Sequence, residues 1–482
     1  MLPQQSDVGP LAVSNSPRHR LWTGIVYAIM VAAAVASFFV IREYGETLTA
    51  PAAVTAAEAQ RPHGAAAPDI IWHLLMALTA VVLVGGLMGR LFCAIGQPPV
   101  IGEVVGGLLL GPSLLGAISP DAYHFVLAPV VVPYLGTVAQ LGVVFYMFLV
   151  GVDLNPDLMR GQVHATVATS HASIIVPFVL GSGLALYLYP RFSSADVPFT
   201  SFALFIGIAM SITAFPVLAR ILQDLGLVKT DLGVVALTCA AVDDVTAWCL
   251  LALVIGVVHA SPGQALIPIV LTVVFIGVMF SVVRPSLARA LRSVEGREPG
   301  SGHLALIVAG MLIAALITEA IGVHAIFGAF LFGAMVPHDS RLAAAVTISF
   351  EKFVLILLLP AFFAFTGMRT EIGLLSGWNA WVTCGLIILV ATLGKFGGTL
   401  IAARATGMGW RYAAALGVLM NTRGLMQLII LNVGLDLGVI SPTLFTMMVL
   451  MALATTMATA PILQRLVDPQ AVAKHIKGAI RH

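Results

Sequence analysis

Charge is what this sequence has least of: only 10% of its 482 residues are Asp, Glu, Lys or Arg, where soluble domains carry about a quarter. Scarcity on that scale excludes a water-soluble domain of useful size. The little charge there is nearly cancels, 24 basic against 22 acidic side chains for a formal net of +2. The basic residues stand singly, without the clusters that bind nucleic acid. Cysteine is scarce as well. Cys93, Cys239, Cys249 and Cys384 are isolated in or beside apolar runs, which excludes a disulfide framework or zinc site and reads as four buried thiols. What remains is hydrophobic, 59% of residues with a mean hydropathy of +1.02. The fold class is therefore an all-α polytopic membrane protein, with room for a dozen or more spans of about 20 residues.

The polar first twenty residues end in Arg18, His19 and Arg20 and lead into an apolar run at 21–41, predicted to be a retained signal anchor. A cleaved signal peptide is the alternative, because Ala57-Glu58-Ala59 resembles a cleavage site. Residues 42–69, rich in Ala, Pro and Thr, read as a linker without a fold. Thirteen apolar segments follow, at about 70–95, 100–116, 134–151, 163–189, 199–221, 232–258, 264–284, 302–320, 322–337, 350–368, 377–403, 410–435 and 442–464. They make 70–466 one membrane domain and leave 467–482 as a short tail. With loops alternating sides, sixteen basic residues, Arg160, Arg289 and Arg404 among them, share one side, and Arg42, Arg61, Arg191 and Arg369 hold the other. The positive-inside rule makes the richer side cytoplasmic and predicts a cytoplasmic C-terminus.

The segment TCAAVDDVTAWCLL at 238–251 sets Asp243 and Asp244 in the middle of a run long enough to cross a bilayer. An acid at that depth costs roughly 2.5 to 3.5 kcal/mol on insertion scales, so intramembrane acids face a cavity or a partner and mark an ion or proton path. Neighbouring residues on a helix point about 100° apart, so the two carboxylates diverge. A structural polar pair between helices is the alternative to a functional one. Two basic residues also fall inside predicted helices, Lys395 and Arg423. Lys395 is the one lysine so placed, on a stretch whose Gly394, Gly397 and Gly398 permit close approach.

Two segments are interrupted. Ser211-Ile212-Thr213-Ala214-Phe215-Pro216 carries a proline that cannot continue the backbone ladder and hydroxyls that can serve the freed groups. Asn421-Thr422-Arg423-Gly424 is a polar, glycine-bearing break in another apolar run. Interrupted helices at matching places in two halves point to a transporter's binding site. Pairing segments 2–6 with 9–13 puts each break fourth in its set. The weaker polar candidates are Glu103, either interfacial or functional; Glu319 and His324, the latter read as packed; and Gln427 and Asn432, read as interhelical hydrogen-bond formers.

Eight motifs in order carry a resemblance: GQPPVIGEVVGGLLLGPSLLG from Gly96, LVGVDL from Leu149, SITAFPVLARIL from Ser211, AAVDDVTAW from Ala240, IGVHAIFGAFLFGAMVP from Ile321, PAFFAFTGMRT from Pro360, LGKFGGT from Leu393 and NTRGLMQLIILNVG from Asn421. Over about residues 70–466 the chain resembles the cation:proton antiporter-2 family of Kef-type exchangers and plant cation/proton exchangers. The resemblance implies a thirteen-helix core of two inverted repeats, with two discontinuous crossing helices, a mobile transport bundle and a dimerisation bundle; the N-terminal helix is extra. It implies exchange of Na+ or K+ for protons by alternating access, no cofactor, a homodimer, and a place in the bacterial inner membrane. Carried over, Asp244 is the acid that binds cation and proton in turn, Asp243 its neighbour paired with Lys395, and Thr213 a hydroxyl ligand in the break. Ala214 supplies no charge at the break, which leaves that role to Arg423 or Glu103. No nucleotide-binding domain is expected in cis.

Two other classes compete with an exchanger. An intramembrane aspartyl protease needs two acids converging on one scissile bond, whereas Asp243 and Asp244 diverge and no Gly-x-Gly-Asp or His-Glu-x-x-His segment is present. A channel-like efflux pathway has no repeated filter sequence to support it.

Overall fold

The structure, a computed structural model, describes residues 17–51, 67–153, 163–227, 230–259, 266–292, 300–321, 324–337 and 340–466. Among these residues the chain is helical, with no strand. In hydrocarbon every backbone N–H and C=O needs a partner within the protein, and a helix supplies those partners locally. In chain order the main helices are α1 (Pro17–Gly45), α2 (Ala67–Ala94), α3 (Pro99–Leu110), α4 (Val132–Asp153), α5 (Val163–Phe192), α6 (Phe199–Ser211), α7 (Phe215–Asp224) and α8 (Asp231–His259). Then come α9 (Leu266–Val278), α10 (Ser301–Ile321), α11 (Ala325–Met335), α12 (Arg341–Phe353), α13 (Trp378–Thr392), α14 (Trp410–Met420), α15 (Leu425–Asp436) and α16 (Pro442–Leu466). Three continue through a π turn: α9 through Met279–Val283 to Arg292, α12 through Val354–Leu358 to Met368, and α13 through Leu393–Gly397 to Ala405.

Ten helices among the described residues are long and apolar enough to cross a membrane. Four shorter apolar ones, Phe199–Ser211, Asp231–Ala240, Ala325–Met335 and Met426–Asp436, fall in the other four of the fourteen apolar segments. Helix ends differ from the apolar runs where polar turns extend them. The segment expected at 264–284 continues to Arg292, and the one expected at 350–368 begins at Arg341, where the Ser340 hydroxyl caps Ala343 N–H at 3.1 Å. Such amphipathic turns are helical without being apolar. The segment expected at 100–116 stops as helix at Leu110, just before Gly111-Pro112.

The helices pack as two bundles. One holds α2, α3, α4 and α9 to α12; the other holds α5 to α8 and α13 to α16. Helix α1 lies against α5 and α6 of the second bundle. There Phe38 meets Phe178 at 5.9 Å, and Thr200 donates to Glu46 at 3.1 Å. Arg42, 2.7 Å from Glu46, holds that carboxyl below its usual range. Hydrogen bonds also join the bundles: Arg369 reaches Asp436 at 2.7 Å and Asn432 at 3.1 Å, Asn432 donates to Thr366 at 2.8 Å, and Gln97 donates to the Met457 carbonyl at 3.2 Å. Of the cysteines, Cys239 and Cys384 are buried, but Cys93 is exposed. Burial was the wrong expectation for Cys93, because an apolar residue near a span's end can face lipid as readily as protein. The Cys249 side chain lies outside the described residues.

Candidate functional site

Both sequence breaks are real and lie side by side. Helix α6 ends at Ser211 and α7 begins at Phe215 with Pro216 in its first turn, where the missing N–H costs nothing. Helix α14 ends at Met420 and α15 begins at Leu425. The stretches between are tied together: Ala214 N–H donates to the Thr422 carbonyl at 3.0 Å. Gly424 permits the approach, since a Cβ there would come within 2.5 Å of Val217.

A helix that stops inside a bundle leaves carbonyls without partners and a partial negative charge at its end. Arg423 answers both at the end of α6. Its guanidinium donates to the carbonyls of Ala209 at 3.0 Å and Met210 at 2.7 Å, and to Gln427 at 3.0 Å. It is fully buried. Glu103 lies on α3, with its Cγ beside Gly89 of α2. Of the two, Arg423 is the one whose hydrogen bonds reach the end of α6.

Beside the crossing lies a buried ion pair. Helix α8 carries Asp243 inward and the π turn of α13 carries Lys395 to it, Nζ to Oδ2 at 2.8 Å, both side chains fully buried. A π turn shifts the helical register by one residue and is frequent at functional positions. The sequence Leu393-Gly394-Lys395-Phe396-Gly397-Gly398 brings α13 onto α5 there, because a Cβ on Gly394 would come within 2.8 Å of Pro177 and one on Gly398 within 2.8 Å of Val176. Gly397 meets nothing so close. Lys395 also donates to the carbonyls of Ser173 at 2.9 Å and Ser211, so three acceptors surround its ammonium.

Asp243 has more donors than Lys395. Thr213 reaches Oδ2 at 2.8 Å, Ser170 reaches Oδ1 at 2.7 Å, and Ser173 reaches Oδ2 at 3.0 Å and Oδ1 at 3.3 Å. Thr213 thus faces Asp243, and its Oγ1 is also 3.0 Å from the Met420 carbonyl on the other broken segment. Ser211 lies at the same junction, its hydroxyl on the Gly207 carbonyl at 2.7 Å. Asn421 is buried at the second break with Oδ1 lacking a hydrogen-bond partner. Ser170 and Ser173 escaped the sequence reading. The Asp244 side chain, one residue along α8, lies outside the described residues, as does that of Pro216.

The remaining candidates separate. Glu319 accepts from Ala325 N–H at 2.8 Å and so caps α11. His324 sits next to it with Nδ1 buried and without a hydrogen-bond partner. Asn432 links helices as expected; Gln427 instead accepts from Arg423, in the break just before its own helix. No group of three or more His, Cys, Asp or Glu side chains able to hold a metal occurs among the described residues.

Comparison with known proteins now decides the family. The transmembrane sodium/hydrogen exchanger family matches residues 78–467, a span that includes both breaks, Asp243 and Lys395. The chain belongs to that family. This exchanger chain is 44% identical over 399 residues to the Na(+)/H(+) antiporter NhaS4 of Synechocystis, covering 82% of this chain and 97% of the relative. It is 32% identical over 410 residues to the K(+)/H(+) antiporter 1 of Saccharomyces cerevisiae, covering 83% of this chain but 47% of the relative, so it spans about half the length of that protein. In fold it resembles the sodium proton antiporter MjNhaP1 of Methanocaldococcus jannaschii, with a TM-score of 0.64, 14% identity, and 82% and 96% of the two chains covered.

Proposed function

We propose that this exchanger moves Na+ or K+ against protons by alternating access, with Asp244 as the shared site. The observation that carries the reading is the buried Asp243–Lys395 pair at the crossing of two interrupted helices, immediately before a second intramembrane acid. Asp243 and Lys395 cancel each other, which leaves Asp244 as the acid offered to a cargo. One carboxylate can be neutralised by a proton or by a cation, not by both at once. Alkali cations take oxygen ligands, which carboxylates, carbonyls and water supply. A site that is neutralised by either cargo crosses the low-dielectric barrier more cheaply than an empty, charged one. Obligatory exchange follows from that difference. Only O–H and N–H bonds are made and broken, and the cation is cargo; the cycle needs no enzyme chemistry and no cofactor.

In this reading the chain has a thirteen-helix core of two inverted repeats within 70–466, preceded by a retained N-terminal helix. The bundle of α5 to α8 and α13 to α16 carries the site and moves, while the bundle of α2 to α4 and α9 to α12 stays and forms a homodimer in a bacterial inner membrane. The Arg369–Asp436 bridge between bundles then breaks or re-forms in each cycle. The charge asymmetry of the loops puts the C-terminus in the cytoplasm. A cysteine placed at Gly296 is expected to react with an impermeant thiol reagent only from the cytoplasmic side; labelling from outside intact cells would reverse the orientation.

The exchange itself is tested in proteoliposomes loaded with a pH dye and given Li+, Na+, K+ and Rb+ in turn. The expected result is a proton movement that depends on an added alkali cation and on protein. A pH unmoved by all four ions would remove the reading, and cation flux without proton movement would favour a channel.

A further inference from the structure

The hydroxyls on Asp243 exceed what its pairing with Lys395 requires. Each also has an alternative acceptor nearby: the Cys239 carbonyl at 3.2 Å for Ser170, the Ser170 carbonyl at 2.8 Å for Ser173, and the Met420 carbonyl at 3.0 Å for Thr213. A hydroxyl has a single proton to donate, so each of the three is poised between a backbone carbonyl and the carboxylate. While Lys395 is in place, the carboxylate does not need them all. When it leaves, all three can turn to Asp243 without strain, because they already lie within hydrogen-bond distance.

Resting on the exchange reading above, we infer that Ser170 and Ser173 are positioning residues that keep Asp243 ionised when Lys395 lets go, and so set the exchange at two protons per cation. Removing one partner of a buried pair ordinarily leaves an uncompensated charge at heavy cost. There are two ways to avoid that cost here. In one, the proton moves from Nζ to Oδ2 across 2.8 Å and stays in the site; the N–H bond breaks, an O–H bond forms, and both groups end neutral. Only the proton of Asp244 is then exchanged, and no net charge moves per cycle. In the other, the proton leaves Nζ for water in the opened site, the electron pair stays on Nζ, and Asp243 keeps its charge. With the proton of Asp244 this makes two protons for one cation and one charge per cycle.

Hydrogen bonds donated to a carboxylate favour its charged form. Three such donors, two of them on α5, bias the site toward the second course. Other ionisable groups on the surrounding elements do not replace them. Cys239 on α8 and Tyr412 on α14 are a thiol and a phenol, weaker acids than a carboxyl, Arg423 is engaged with Ala209, Met210 and Gln427, and His171 on α5 is separated by helical rotation from the face that Ser170 and Ser173 share.

The test compares balance points in proteoliposomes at zero membrane voltage. With a tenfold cation gradient, proton flux stops at an opposing pH difference of about half a unit for two protons per cation and about one unit for one, by linkage of the two gradients. The parent protein is expected to balance near half a unit and the Ser170→Ala/Ser173→Ala double variant near one. Ser173→Thr, which keeps a hydroxyl, is expected to balance with the parent. If the double variant does not fold, Ser173→Ala alone carries the comparison, with its balance point displaced toward one unit. A merely structural role would change rates and leave the balance point where it was. A variant that balances with the parent at half a unit overturns the inference and leaves exchange intact. A parent that itself balances at one unit also overturns it, again leaving exchange intact. Absence of any cation-dependent balance would remove the exchange reading and the inference together.

Discussion

Asp244→Asn is expected to abolish cation-coupled proton movement, by at least about a hundredfold, in a protein that still folds and inserts. Asparagine keeps the shape of aspartate and removes its charge and its proton, so neither cargo can neutralise the site. The Asp243–Lys395 pair and the Arg423 cap are built from other residues and are left in place by the substitution. An intramembrane acid also costs insertion energy, roughly 2.5 to 3.5 kcal/mol on biological scales, so its removal should leave stability equal or slightly raised. The measurement is dye-reported proton flux in proteoliposomes alongside a thermal melt in detergent. Near-normal exchange by correctly inserted Asn protein would take the shared-site role away from Asp244.

Arg423→Leu is expected to give the largest loss of stability. Leucine fills much of the volume but leaves the carbonyls of Ala209 and Met210 and the amide of Gln427 without the guanidinium, in surroundings with no exposure. Hydrogen bonds to a charged group are worth about 1.5 to 3 kcal/mol each, and orphaned buried acceptors add their desolvation cost. Taking partial relaxation into account, the expected cost is about 3 to 5 kcal/mol, a fall in melting midpoint on the order of 5–10 °C. Arg423→Lys should recover little of this, since a single ammonium cannot bridge two carbonyls as a planar fork does. An unchanged midpoint in the Leu variant would mean that the end of α6 is satisfied some other way.

The two breaks and the buried charges were legible in the sequence because they violate the rules of a membrane helix, whereas the pairing of Asp243 with Lys395 came from the family resemblance. A proline after Ser211-Ile212-Thr213-Ala214-Phe215, a polar Asn421-Thr422-Arg423-Gly424 and a lysine among glycines are each costly in hydrocarbon, and each needs a partner. Ser170 and Ser173 violate nothing. A serine in a membrane helix normally returns its hydroxyl to its own helix, as Ser211 does to Gly207, so its role depends on which neighbour lies opposite. That neighbour is 70 or more positions away in sequence. Their three-residue spacing, which puts both on one face of α5, was the signal that could have found them. The target of Arg423 was equally hidden: its charge announced a partner, but a helix end made of carbonyls has no sequence signature. Helix ends at Arg292 and Arg341 were missed for the opposite reason, because amphipathic polar turns do not look like membrane spans.

The claim at the centre of this account is that cation and proton compete for one carboxylate, and the dependence of the cation's apparent KM on pH measures it directly. In proteoliposomes at fixed voltage, competition predicts that KM rises as pH falls through the range in which the site protonates, approaching about tenfold per unit at the acid end, the limit that mass action at one titrating group sets. The rate at saturating cation should stay constant over the same range. A KM that holds steady while the maximal rate falls would contradict the account, placing the proton and the cation at separate sites.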